Sequence, residues 1–199
     1  MRLWDKTMMK KKNSSSYEVI APRVLRFPKA LGEFDFVKFL EESNPNWQDN
    51  FAIRDEDGPS RKEVSIDFTA IDEPWIVYAK KVLECYITYC KEILNTDYIW
   101  DTNITETYGD VIHISKYRAG GYVDPHADED FETDNGVYTL IWYLNDNYQG
   151  GELGFIDPDL EMKPEAGDIF IYPSFYIHYS KPVLSGHKYI SIQRSQLLQ

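Results

Sequence analysis

The chain has 199 residues, 43% hydrophobic and 15% aromatic, enough for one domain with a substantial core and unlike a disordered polypeptide. Acidic residues outnumber basic ones 33 to 21, and the formal charge of −12 repels phosphate backbones and anionic lipid. Nucleic acid and membrane are therefore excluded as expected partners.

Residues 1–16, with Lys10, Lys11 and Lys12 followed by Asn13 and three serines, read as a flexible tail without the apolar run of a signal peptide. Tyr17 to Phe27, interrupted by Pro22, reads as an opening edge strand. A short helix is predicted over 33–43, with Phe36, Val37 and Leu40 as its apolar stripe and Asn44-Pro45-Asn46 as its stop. The charged stretch 54–63, with Gly58-Pro59, reads as a loop. Residues 74–94 carry the clearest helical pattern, from Trp75 to Leu94 in steps of three and four, with Pro74 in the first turn. Cys85 and Cys90 lie on this helix at a spacing that points the thiols apart, so they are expected to stay free in a reducing, cytoplasmic compartment.

Beyond Trp100 the period falls to two. Strands are predicted at 111–117, 138–144, 169–172 and 188–193, with turns at Gly120-Gly121, Asn145 to Asn147, Gly150-Gly151, Pro164 to Gly167 and Ser185-Gly186. The expected fold is mainly β with flanking helices. A double-stranded β-helix (jelly-roll) core over 108–195 is buttressed by amino-terminal helices within 30–100, and residues 17–199 form one domain.

The stretch Tyr117 to Asp128 holds the first candidate site residues. His126 and Asp128 are two apart, so on an extended chain both side chains leave one face. With a distant imidazole, His178, they make a donor set that leaves half of a metal's coordination sphere open, as non-haem iron oxygenases require. The ordinary alternatives are a solvated acidic loop around Asp128 and a hydrogen-bonded core histidine at 178. His113 and His187 have no partner at ligand spacing. On the strand from Lys188 to Arg194, Lys188, Ile190, Ile192 and Arg194 share a face. The two isoleucines want the interior, so Lys188 either meets an anionic ligand there or carries its amine to water at the barrel mouth.

Residues 108–194 resemble the Fe(II)- and 2-oxoglutarate-dependent dioxygenases, in their prolyl 4-hydroxylase-like branch. The matching stretches are Tyr117-Arg-Ala-Gly-Gly-Tyr-Val-Asp-Pro-His126-Ala-Asp128, Thr139-Leu-Ile-Trp-Tyr-Leu-Asn145, Gly150-Gly-Glu-Leu-Gly-Phe155 and Lys163-Pro-Glu-Ala-Gly-Asp168. His178 and Pro182-Val-Leu-Ser-Gly-His-Lys188-Tyr follow in the same order. The resemblance implies that His126, Asp128 and His178 bind Fe(II), and that Lys188 pairs with the distal carboxylate of 2-oxoglutarate. It implies further that Tyr117 donates a hydrogen bond to that carboxylate, and that Thr139 lines the same pocket. It also implies O2 as the oxidant, with ascorbate as a candidate accessory reductant.

The implied reaction hydroxylates a substrate C–H, a prolyl residue of a peptide or protein in first place, with succinate and CO2 as by-products. Tyr122 and Arg194 are the candidate substrate contacts. Two places depart from the branch: Gly136 stands where an arginine is usual, and Arg194 where a tryptophan is usual. Both family positions are associated with peptide binding, so a free amino acid or other small molecule is the alternative substrate. A non-catalytic cupin-like binding protein is the alternative of another class.

Overall fold

The computed structural model describes residues 16–55, 58–67, 73–95, 111–128 and 137–196. Two strands, β1 (Glu18–Ala21) and β2 (Val24–Phe27), lead to helix α1 (Phe36–Glu42), strands β3 (Gln48–Asp55) and β4 (Gly58–Asp67), and helix α2 (Glu73–Ile93). The remaining strands are β5 (Val111–Tyr117), β6 (Val123–His126), β7 (Val137–Tyr143), β8 (Gln149–Gly150), β9 (Leu153–Phe155) and β10 (Leu160–Met162). They end with β11 (Ile169–Pro173), β12 (His178–Ser180), β13 (Val183–Ser185) and β14 (Lys188–Gln196).

An eight-stranded major sheet has the order β1-β2-β11-β7-β14-β5-β4-β3, and a four-stranded minor sheet the order β10-β9-β12-β6. From β5 onwards the chain passes repeatedly between the two sheets, with β8 and β13 as a small bridging pair, which makes the double-stranded β-helix.

The central strands of the major sheet are covered on both faces, so they read as continuous apolar runs where an exposed sheet would alternate. Along β7, Leu140 and Trp142 pack with helix α2, whereas Ile141 and Tyr143 point into the barrel. Along β11, Ile169 and Ile171 take the helix side, and Phe170 and Tyr172 the barrel side. All four are 0% exposed. At about 1.5–3 kcal/mol for each large side chain removed from water, this strand anchors both cores. Helix α2 supplies Trp75, Tyr78, Val82, Cys85, Tyr86, Tyr89 and Cys90 to the first core, the helical repeat laid against the outer face of the sheet. Helix α1 begins where the Asp35 carboxylate accepts from Lys38 N at 2.9 Å, a side-chain cap. Cys85 and Cys90 are buried and free. Burial pushes their thiols up to about 12 and about 11.

Two expectations from the sequence are corrected. Tyr17 to Phe27 is a hairpin, because Arg23 turns through φ 58° and folds β2 back on β1. Of the charged stretch 54–63, residues 54–55 and 58–63 lie in strands, since β3 and β4 pair and extend the edge of the major sheet beside β5. Charge is what an edge strand carries against aggregation, and Pro59 stands at a strand start where it costs no central ladder bond. The part expected to be a helical buttress therefore also holds a β-hairpin. The expected flexible tail falls, apart from Ser16, outside the described residues, as does Gly136.

Candidate active site

Strands β6 and β12 pair antiparallel with His126 directly opposite His178. Facing residues on such a pair have neighbouring Cβ atoms, and the two rings lie 4.4 Å apart by their centroids. Asp128 sits in a bend just past β6, not on the strand, and its N–H donates to the Ser174 carbonyl at 2.9 Å. The bend brings its carboxylate between the rings, with Oδ1 3.4 Å from His126 Nε2 and Oδ2 3.7 Å from His178 Nε2. One donor atom from each residue falls within 4.8 Å of the others.

Each imidazole is set for coordination by its own backbone. His126 Nδ1 lies 2.9 Å from the Asp124 carbonyl, and His178 Nδ1 3.0 Å from the Tyr176 carbonyl. A carbonyl only accepts, so Nδ1 carries the proton in both rings and Nε2 is left with its lone pair facing the carboxylate. Fixing the remote ring nitrogen in this way is how proteins orient histidine ligands. Burial would raise the Asp128 carboxyl, but the His126 ring, His178, the Thr139 hydroxyl and Arg194 outweigh it and hold it well below the usual range. A proton added at His126 Nε2 would bond to Asp128, which pushes that ring up, whereas burial pushes His178 down. Two neutral Nε2 donors and an ionised carboxylate suit a divalent transition metal.

Lys188, the first residue of β14, is 1% exposed, and its ammonium ends on the Ser180 hydroxyl and near the Gly151 carbonyl at 3.5 Å. It also lies 4.8 Å from the centroid of the Tyr117 ring. Desolvation, with the charge of Lys163, brings its pKa down to about 7, and Glu152 opposes that only in part. None of these neighbours is a carboxylate in contact with it. A buried cation solvated by a hydroxyl, a carbonyl and a phenol face is a receptor for an anion. Tyr117, Tyr143 and Tyr148 are buried on the same barrel side.

The sequence-derived residues fall into two groups. His126, Asp128 and His178 converge, and Lys188 with Tyr117 forms a second pole. Thr139 belongs to the first: its hydroxyl donates to Asp128 Oδ2 at 2.6 Å and lies 2.9 Å from Ser174 Oγ. Arg194 joins the same pole, with its guanidinium 3.4 Å from Asp128 Oδ1. Tyr122 is half-buried in the turn before β6, and among the described residues no polar contact links it to the three ligands. His113 and His187 are exposed and stand outside the cluster. Ser180 and Ser174 escaped the sequence reading. Ser180 was accessible to it, because it is two residues past His178, the same step that relates Asp128 to His126.

Residues 112–193 match the family model of the 2OG-Fe(II) oxygenase superfamily. The chain is 35% identical over 82 residues to a PKHD-type hydroxylase of Maricaulis maris, a match covering 39% of this chain and 37% of the relative. It is 25% identical over 119 residues to the prolyl 4-hydroxylase subunit alpha-1 of Caenorhabditis elegans, covering 50% of this chain and 21% of that one. The chain thus spans well under half the length of these relatives. Among solved structures, a prolyl-4-hydroxylase of Pseudomonas putida superposes with a TM-score of 0.63 at 16% identity, over 89% of this chain and 95% of that one. This last likeness concerns the double-stranded β-helix fold. Among the described residues, no helix is long and apolar enough to cross a membrane.

Proposed function

We propose that this chain is an Fe(II)- and 2-oxoglutarate-dependent oxygenase that hydroxylates a substrate C–H bond, with a prolyl residue of a peptide or protein as the first candidate. The observation that carries the reading is the pairing of two poles in one barrel. Two imidazoles with Nε2 presented and one ionised carboxylate stand at the first. A buried ammonium with no carboxylate against it among the described residues stands at the second.

When bound, ferrous iron and 2-oxoglutarate supply the oxidation of the C–H bond by O2, with succinate and CO2 released. The rest falls to the protein. His126, Asp128 and His178 would hold the metal. Lys188 receives the distal carboxylate of the diacid, with Ser180 and Tyr117 orienting the ammonium. Thr139 and Ser174 fix the rotamer of Asp128. Phe155 and Tyr172, packed at 5.0 Å and nearly perpendicular, make an apolar wall behind His178 that excludes water. The names of the relatives, two of them prolyl 4-hydroxylases, support prolyl hydroxylation.

Succinate formation from 2-oxoglutarate by the purified protein with Fe(II) and ascorbate, without substrate, tests the reaction class. Turnover is expected in the wild type and lost in His126→Ala. Equal silence of both, with no metal bound by either, would support a binding protein in place of an enzyme. Proline-rich peptides that gain the mass of one oxygen atom identify the substrate class. A gain on free proline alone favours the small-molecule reading, which Arg194 supports by replacing the branch's tryptophan.

A further inference from the structure

Arg194 is a cation that the reaction as outlined does not employ. It stands on β14 opposite Thr139, on the face shared with Lys188, Ile190 and Ile192. Among the described residues its guanidinium makes one polar contact, to Asp128 Oδ1 at 3.4 Å. That is long for a charge-assisted hydrogen bond and engages one of five N–H donors. Asp128 is already heavily used, since Thr139 occupies Oδ2 and both imidazoles face its oxygens. A divalent ion held by these three residues would claim the remaining lone pairs of the carboxylate. The guanidinium would then stand beside a dication, an arrangement that a further anion stabilises.

Tyr172 is a second, independent pointer. It is 0% exposed on the barrel side of β11, and among the described residues its hydroxyl has no hydrogen-bond partner. Its ring meets His178 edge-on at 5.0 Å, and Asp128 and Arg194 both act on its phenol electrostatically. A buried O–H without an acceptor is costly and rare, and it is satisfied when a ligand oxygen arrives. Exposure separates Arg194 from the co-substrate's anchor. Lys188 is sealed in, whereas the Arg194 side chain is 37% exposed and open to a ligand arriving from solvent.

Resting on the oxygenase reading, we propose that Arg194, with the Tyr172 hydroxyl beside it, binds a carboxylate of the primary substrate close to the C–H bond that reacts. The substrate is then acidic at that position. The carboxylate comes either from the free α-carboxyl of an amino acid or from an acidic side chain next to the target residue of a peptide. An anion of this kind enters a protein of net charge −12 only where a local cation offsets the field.

Matched acid and amide probes test this on the Mn(II)- and 2-oxoglutarate-loaded protein by calorimetry. The pairs are L-proline with L-prolinamide, and a capped prolyl-glutamate peptide with its prolyl-glutamine counterpart. The acid of at least one pair is expected to bind about tenfold tighter than its amide, and the pair that discriminates identifies the source of the carboxylate. Arg194→Gln is expected to abolish the preference, Arg194→Lys to restore part of it, and Tyr172→Phe to weaken the preferred acid several-fold.

If neither acid is preferred in the wild type, whether all probes bind alike or none binds, the proposal is overturned without reliance on any variant. It is equally overturned if Arg194→Gln keeps the preference while losing affinity for 2-oxoglutarate, which would assign the guanidinium to the co-substrate. Succinate formation by the Fe(II)-loaded wild type, followed in parallel, tests the oxygenase reading separately. No succinate sinks that reading, whereas succinate without acid preference sinks only the role of Arg194.

Discussion

Thr139, at the centre of the major sheet, donates its hydroxyl hydrogen to Asp128 Oδ2 at 2.6 Å. Its single proton is thereby committed, so Ser174, 2.9 Å away, is the donor of the second bond. The rigid sheet thus holds a carboxylate that itself stands in a bend.

Thr139→Val keeps the shape and removes both bonds. Loss of a partner that orients a metal ligand typically costs 10–100-fold in affinity, so Mn(II) or Co(II) is expected to bind roughly tenfold more weakly. Isothermal titration of the metal checks this. Unchanged affinity would mean that Ser174 and the bend hold Asp128 without the threonine.

Lys188 sets a pH dependence. Its folded pKa of about 7 lies below the ordinary 10.5, so between these values the unfolded chain holds a proton that the folded chain has released. The stability of the diacid-free protein therefore rises with pH across that window, and below about pH 7 the full cost of burying the charge is present. Lys188→Met should flatten this rise in urea midpoints measured at pH 6, 8 and 9. A dicarboxylate favours the ammonium, so binding takes up a proton and 2-oxoglutarate affinity falls as pH climbs above 7. The slope is at most about tenfold per pH unit. Calorimetry in buffers of different ionisation heat reads the proton directly, and proton release would contradict the assigned partner.

Gly151 connects backbone geometry to the same lysine. It has φ +67°, and a methyl group there would lie 3.2 Å from Lys188 Cδ and 3.0 Å from Tyr148 Cε2. Gly151→Ala is expected to cost about 1–2 kcal/mol for the left-handed backbone. By displacing the Lys188 stem, it should also weaken 2-oxoglutarate several-fold with little change in metal affinity. Parallel titrations of diacid and metal separate the two effects.

Away from the site, Arg26 holds Asp168 at 2.8 Å, and the carboxylate also accepts from the N–H groups of Lys29 and Glu165. Asp168 is 0% exposed, so Arg26→Ala leaves a buried charge with backbone donors alone. A loss of about 3 kcal/mol is expected in chemical denaturation, without change in metal affinity.

Much of the site was legible because strand periodicity is local. The two-residue step from His126 to Asp128, and the shared face of Lys188, Ile190, Ile192 and Arg194, follow from the pleat of an extended chain. Helix α2 was readable for the same reason, since its apolar repeat depends only on its own turn. The hairpin of β3 and β4 was not, because charged edge strands and charged loops have the same composition. What only the tertiary structure decided was pairing. The ladder that sets His126 opposite His178, the bend that turns Asp128 between them, and the approach of Arg194 to that carboxylate join residues remote in the chain. Their spacing is fixed by which strands share hydrogen bonds, and a linear pattern carries no record of that choice.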